Sequence, residues 1–206
     1  MRNYKLEENL NKYILNPRED ICNFKLACSY FDIGQYASAL SYYLRCAELS
    51  KNDNLVYESL LCSWDCMAKV GGRPVFERGQ IFQAISQSPH RPEAYNAMCL
   101  WLEFCGDRIA SAEEKYFTMY SYACIGIANI LSDKKFEYYN RYDGYFVFLY
   151  YKALAGWHIG KTQESTDLFI ELINNPNNDL NERYKTLISE VIENLGLSHL
   201  IKENEN

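Results

Sequence analysis

Eight cysteines and three histidines are the side chains in this 206-residue sequence best suited to nucleophilic or metal chemistry. Cys62 and Cys66 stand four apart, on one face of any helix that holds them. Cys22, Cys28, Cys46, Cys99, Cys105 and Cys124 show no Cys-x-x-Cys spacing, and only His90, His158 and His199 could add imidazoles. A structural zinc site draws paired ligands from a turn or knuckle, so the spacing predicts thiols packed as small apolar groups, with no bound metal. A cysteine nucleophile needs a base beside it, and no local motif joins any cysteine to a histidine. No Gly-rich phosphate loop, HExxH or GxSxG motif is read in the chain, and no DxD occurs. The adjacent acids Glu113 and Glu114 fall at a predicted helix start, where they complement the helix dipole. The expectation is a non-enzymatic protein without cofactors.

The elements that would position these side chains are helices. Asn16-Pro17 followed by Glu19 and Asp20 has the order of a cap, a first-turn proline and N-terminal acids, and Gly34 supplies a stop, predicting a helix over about 17–33. A second follows from Tyr36 to Leu49. Further helices are expected over 55–70, 74–87, 92–105, 108–131, 143–158, 162–174 and from a cap at Asp179 to Gly196. Ser111 and Glu114 also have capping-box spacing, and Asp143 and Thr162 read as caps. Residues 1–15 add an N-terminal helix, 132–142 a loop, 175–178 a turn cluster, and 202–206 a frayed tail. The fold class is all-α, with residues 16–201 as one repeat domain.

A pattern recurs along these helices. Ala27, Gly34 and Ala39 in KLACSYFDIGQYASAL match Ala153, Gly160 and Ser165 in KALAGWHIGKTQEST. Glycines at 34, 72, 106 and 160 separate paired helices at intervals of 38, 34 and 54 residues, the first two near the 34-residue period of a two-helix repeat and the third a departure from it. The sequence thus resembles a tetratricopeptide array, with the small-residue pattern clearest in the first and fourth pairs. The resemblance implies a right-handed superhelix of about four antiparallel hairpins plus a C-terminal capping helix. A wider resemblance runs over residues 16–195, through SPHRPEAYNAMCLWLEFCGD, YDGY, ALAGWHIGKTQES and NNPNNDLNERYKTLISEVIENL. It is similar to the helical-repeat region that accompanies family 2 glycosyltransferases in bacterial, phage and viral proteins. The catalytic domain of that family is not in this sequence, so no catalytic residue is carried over.

Groove positions in such an array come from the first helix of each pair. The resemblance places them at Phe24, Cys28 and Phe31, at Cys62, Cys66 and Lys69, at Asn96, Leu100 and Glu103, and at Tyr150, Leu154 and Trp157, with His158 following. A carboxylate clamp would use several Lys, Arg and Asn, and only Lys69 and Asn96 fit, so the groove suits an apolar peptide, helix or loop. Trp157 and His158 read either as ligand contacts or as helix-end packing. His90 and Arg91 read either as an anion site or as a helix boundary. Net charge is −6 and 28 of the residues are Tyr or Phe, since Tyr numbers 18 and Phe 10. The acidic balance argues against nucleic acid. The longest apolar run, Tyr145 to Tyr151, is far short of a membrane span, and the N-terminus lacks a secretory pattern. A cytoplasmic scaffold for a protein partner is the leading expectation, in the host cytoplasm if the source is a phage or virus. An accessory module of a glycosyltransferase or surface-glycan system and a structural component of a phage or viral particle are the alternatives. Self-association is also open.

Overall fold

The computed structural model describes residues 4–108, 110–130, 144–174, 180 and 182–197. Among them the chain is all-helical, with no strand. The helices are α1 (Tyr4–Leu15), α2 (Asp20–Asp32), α3 (Tyr36–Leu49), α4 (Asp53–Val70), α5 (Pro74–Gln87), α6 (Glu93–Cys105), α7 (Ala112–Ala128), α8 (Tyr145–His158), α9 (Thr162–Asn174) and α10 (Glu182–Asn194), with a 3-10 turn at Gly106–Arg108. No described helix is long and apolar enough to cross a membrane. The expected caps Asp143 and Asp179, the loop 132–142, the turn cluster 175–178, His199 and the tail 202–206 lie outside the described residues. The chain divides into two compact units, one holding α1 to α5 and the other α6 to α10.

Several helix ends differ from the sequence expectation for local reasons. Asn16 donates its backbone N–H to the Lys12 and Tyr13 carbonyls, and Glu19 donates to the Asn16 carbonyl, so Asn16 and Pro17 form the turn after α1 and α2 begins at Asp20. The side chain of Asn23 then holds that turn from inside, donating to the carbonyls of Glu19 (2.7 Å) and Pro17 (3.1 Å). Asn52 caps α4 by accepting from the N–H of Asn54 and Leu55. Gly71, not Gly72, is the left-handed residue that ends α4, at φ +74°. Gly106 is right-handed at φ −56°, and the chain continues from it into the 3-10 turn. In place of the expected left-handed stop, Gly106 packs under the Lys115 stem, which a Cβ there would meet at 3.0 Å. Ser111 does cap α7, accepting from the Glu114 N–H at 3.2 Å.

In the first unit, α2 and α3 run antiparallel. Phe31 meets Tyr36 beside the turn, with ring centroids 5.2 Å apart, and Phe24 meets Tyr43 farther away at 5.4 Å. Ala27 and Ala39 are fully buried in the unit. Tyr43 donates its hydroxyl to the Cys28 sulfur at 3.4 Å, and Cys46, Tyr57, Leu61, Cys66, Ile81 and Ala84 extend this core through α4 and α5. Helix α1 joins through Asn9, whose amide donates to Ser29 Oγ at 2.7 Å, and through Tyr13 against Tyr42.

In the second unit, α7 and α8 are antiparallel. Gly126 faces Phe148, Lys152 lies over the Tyr120 ring, and His158 stacks on Tyr116, so numbering descends along one helix as it rises along the other. Helix α9 turns back on α8 through Gly160, setting Ser165 beside Gly156 and pairing Glu164 with Lys152 at 2.7 Å. The last helix, α10, docks on α8 rather than on α9: Tyr184 sits against Tyr150 and Tyr151, and Arg183 pairs with Glu103 at 2.8 Å.

The α7–α8 seam depends on a missing side chain. A Cβ at Gly126 would fall 2.1 Å from the ring of Phe148, which is fully buried. Gly126→Ala is therefore expected to lower stability by about 1–3 kcal/mol through overpacking. Gly79→Ala in α5, where open space surrounds the backbone, is expected to leave stability unchanged or raise it by up to about 1 kcal/mol. Urea unfolding of the two variants checks both.

Candidate functional site

The first turn of α7 and the last turn of α8 meet at a cleft of about 560 Å³ lined by Ala112, Glu113, Tyr116, Phe117, His158, Ile159 and Lys161. Ser111 fixes where α7 starts, and Gly160 fixes where α8 stops, so both walls are set by helix ends. The imidazole of His158 stacks on the Tyr116 ring with centroids 3.8 Å apart and planes 10° from parallel. The Lys115 ammonium lies 5.2 Å from the centre of the same Tyr116 ring and pairs with Asp107 at 2.9 Å. Partial burial, followed by the Lys115 charge, holds His158 below the ordinary histidine range. Phe117 exposes most of its ring at the edge of the cleft.

Behind this cleft lies a polar cluster that joins three helices. Tyr120 of α7 donates to the Glu164 carboxylate at 2.8 Å and accepts from Lys161 at 2.8 Å, while Lys152 of α8 pairs with the same carboxylate. The hydrogen bond from Lys152 holds Glu164 below the usual carboxylate range, and burial pushes the Tyr120 phenol up. Lys161 also lies over the Tyr120 ring at 4.3 Å. The segment Ala155 to Thr162 (AGWHIGKT) has phosphate-loop spacing, with Ala155 in place of the first glycine. Such a loop follows a strand, whereas these residues close α8 and open α9, and Lys161 is engaged by Tyr120 and Glu164.

The positions expected to line a partner groove separate by burial. Phe24, Cys28, Asn96 and Tyr150 are core residues, and Cys62 and Cys66 are buried with them; none of these presents a surface. Phe31, Leu100, Leu154 and Trp157 are half-buried, while Lys69 and His158 are exposed. In the first unit the structure brings Phe31 and Lys69 together, because the Lys69 ammonium sits 5.6 Å from the Phe31 ring centre and 5.2 Å from that of Tyr36. In the second unit Trp157 and His158 adjoin at the end of α8, and His158 alone of the pair lines the cleft. Arg91 is buried against Glu93, with guanidinium to carboxylate at 2.7 Å, so it braces the start of α6.

Two surfaces escaped the sequence reading. One is the α7 side of the cleft, where Ser111-x-x-Glu114 marked the helix start but not that Tyr116 would meet His158. The other is a groove of about 660 Å³ in the first unit, floored by Leu44, Val56 and Leu60 and rimmed by Gln80, Gln83 and Gln87. The amides recur at steps of three and four, which was the available signal. No family model matches the chain, and no curated protein does either.

Two outcomes are expected at these residues. A histidine whose folded pKa lies below its unfolded value binds its proton more tightly when unfolded, so its contribution to stability is present above the unfolded pKa and is lost as pH falls from there through the folded pKa. His158 is expected to titrate below the ordinary histidine value by NMR. Between about pH 7 and about pH 5 the wild type should lose more stability than His158→Phe, which keeps a ring on Tyr116. The second outcome concerns thiols: Cys105 and Cys124 are half-exposed, while Cys28, Cys46, Cys62 and Cys99 are buried. Iodoacetamide labelling read by peptide mass mapping should modify the first two in the native protein and the other four only after denaturation.

Proposed function

We propose that this chain is a non-enzymatic helical-repeat scaffold that binds a protein partner, built on tetratricopeptide-like hairpins with α10 as a terminal cap. The observation that carries the reading is a turn repeated bond for bond. Gln35 N–H donates to the Tyr30 carbonyl and Gly34 N–H to that of Phe31; Lys161 N–H donates to the Gly156 carbonyl and Gly160 N–H to that of Trp157. The next helices start alike, with Ala39 N–H on the Gln35 carbonyl and Ser165 N–H on that of Lys161. Both glycines are left-handed, at +77° and +84°, and Ala27, Ala39, Ala153 and Ser165 are all fully buried. Core aromatics match as well, since Phe24 and Tyr43 in the first pair correspond to Tyr150 and Phe169 in the second.

The buried thiols are not proposed as nucleophiles. Burial pushes Cys28 and Cys46 up to about 11, which leaves them protonated at neutral pH. All eight cysteines are free thiols, in keeping with a reducing cytoplasm. The accessible residues among the expected groove positions are the proposed partner contacts, each unit by itself: Phe31 and Lys69 in the first, and Leu100, Leu154, Trp157 and His158 in the second.

The test is recovery of the tagged protein from its native source after a salt wash, with mass spectrometry, alongside Trp157→Ala and Lys69→Glu variants. The scaffold reading expects a partner retained in near-stoichiometric amount and depleted by at least one variant. A family 2 transferase or sugar-nucleotide enzyme as that partner would assign the glycan-assembly role. Particle proteins in its place would assign a structural one. Retention no different from an untagged control would overturn the reading.

A further inference from the structure

In each unit a second helix packs on the first helix of the next pair, α3 on α4 in one and α7 on α8 in the other. Helix α10 does not continue that order. Among the described residues it rests on α8 instead of α9, and it reaches α6 as well. Both α6 and α8 are first helices of their pairs, and the contacts fall on positions expected to line a partner groove. Tyr184 packs edge-on against Tyr150 with ring centroids 5.6 Å apart, and Arg183 pairs with Glu103 at 2.8 Å. Tyr184 is thus one of the side chains that leave Tyr150 only 1% exposed.

This contact has the chemistry of a bound helix. The hairpin seams close on small residues, Ala27 with Ala39 and Ala153 with Ser165, whereas α10 (ERYKTLISEVIEN) holds no alanine or glycine. Its buried residues are Tyr184, Ile188 and Ile192, at steps of four, which is the anchor row of an amphipathic helix laid in a groove. Its polar contacts gather in the first turn. The Tyr184 hydroxyl lies 3.3 Å from that of Tyr151, and the Arg183 guanidinium lies 5.1 Å from the Phe104 ring centre as well as on Glu103. Arg183 keeps 41% of its side chain exposed, so the ion pair adds orientation more than hold. Glu103 is also bonded by the Tyr151 hydroxyl at 3.0 Å, which fixes the carboxylate on the α6–α8 side as an acceptor for an incoming cation. The outer face of α10 carries Glu182, Lys185, Glu190 and Glu193, all exposed, so the helix stays solvated when released.

We infer that the face of α6 and α8 beneath α10 is a partner-binding site held shut by the chain's own last helix. The partner enters as an amphipathic helix of the same chemistry, a cation beside an aromatic followed by branched apolar residues at steps of four. The inference rests on the scaffold reading and supplies its partner class and its regulation. Leu154 and Trp157 continue the row from Tyr150 at steps of four and three and are half-buried, so the site extends to contacts proposed above. Because α10 is tethered, it competes at an effective concentration on the order of millimolar. A free helix therefore gains apparent affinity in proportion to the fraction of chain in which α10 has let go.

The probe is a fluorescein-labelled synthetic peptide of residues 180–197, titrated into the full chain and read by anisotropy. It should bind the Arg183→Glu chain, whose resident helix meets Glu103 with a like charge, at least about tenfold more tightly than the wild type. A peptide carrying both Arg183→Glu and Tyr184→Ala should bind that chain at least about tenfold more weakly than the unaltered peptide. Hydrogen exchange gives the second reading. In the wild type the α10 amides should exchange at least about tenfold faster than those of α8, and Arg183→Glu should speed α10 further while leaving α8 unchanged. Equal probe binding by the two chains would sink the inference. So would loss of α8 protection together with that of α10, which would make α10 part of the core. If the wild type sediments as a dimer that Arg183→Glu dissociates, the incoming helix is the α10 of a second copy and the assignment to a partner protein falls. In the native recovery experiment, a partner retained no more strongly by Arg183→Glu than by the wild type would leave the scaffold standing and overturn only the role given to α10.

Discussion

Close approach of antiparallel helices is the constraint on which the rest of the structure depends. A chain that leaves a helix and returns along it within a few residues needs one residue in left-handed backbone, and Gly34 and Gly160 supply it at +77° and +84°. The returning helix then needs small residues where the backbones come nearest. Ala27 with Ala39, and Ala153 with Ser165, are all fully buried in their pairs. Ser165 lies so near Gly156 that a Cβ there would fall 2.6 Å from its hydroxyl. Once this seam is fixed, helix periodicity decides which side chains become core, and the bulky ones, Phe24, Tyr43, Tyr150 and Phe169, are driven inward.

Polar groups hold the seams in register where small residues do not. Tyr120, Glu164, Lys152 and Lys161 tie α7, α8 and α9 at one level, with the phenol both donating and accepting. Tyr151 donates to Glu103, which also takes Arg183, so α10 is fastened at a point where α6 and α8 already meet. The phenol suits both places for the same reason, since its ring fills core volume while its hydroxyl reaches a charged partner. The abundance of tyrosine in the composition is thus spent largely on helix packing.

Local signals in the sequence marked the helices well, because caps and left-handed stops act over a few residues. Ser111, Gly34 and Gly160 act as their spacing suggests. Asn16-Pro17 misled because the same residues suit a turn between helices, and the side chain of Asn23, on the next helix, decided the matter. Gly106 misled because a glycine can also serve close packing, here under Lys115. The candidate site was less legible. Rank within a repeat predicts which helix a residue occupies but not what covers it, so Phe24 and Tyr150 proved to be core while His158 reached the surface. The Tyr116–His158 stack joins residues 42 apart in sequence and rests on how α7 is rotated against α8, which no local motif encodes.

Helices α5 and α10 pose the same structural problem with different solutions. Each is the last helix of its unit, with one face packed and the other left out. In α10 the packed face is Tyr184, Ile188 and Ile192, and the outer one carries Glu182, Lys185, Glu190 and Glu193, so water satisfies what no neighbour covers. In α5 the packed face is Glu77, Ile81 and Ala84, and the outer one carries Val75, Phe76 and Phe82. A buried carboxylate on the packed side and bare aromatics on the outer side invert the usual amphipathic order. Val75 and Phe76 are mostly exposed, while Phe82, at 42% exposed, is more than half covered within the unit. The outer face of α5 is thus apolar where that of α10 is charged.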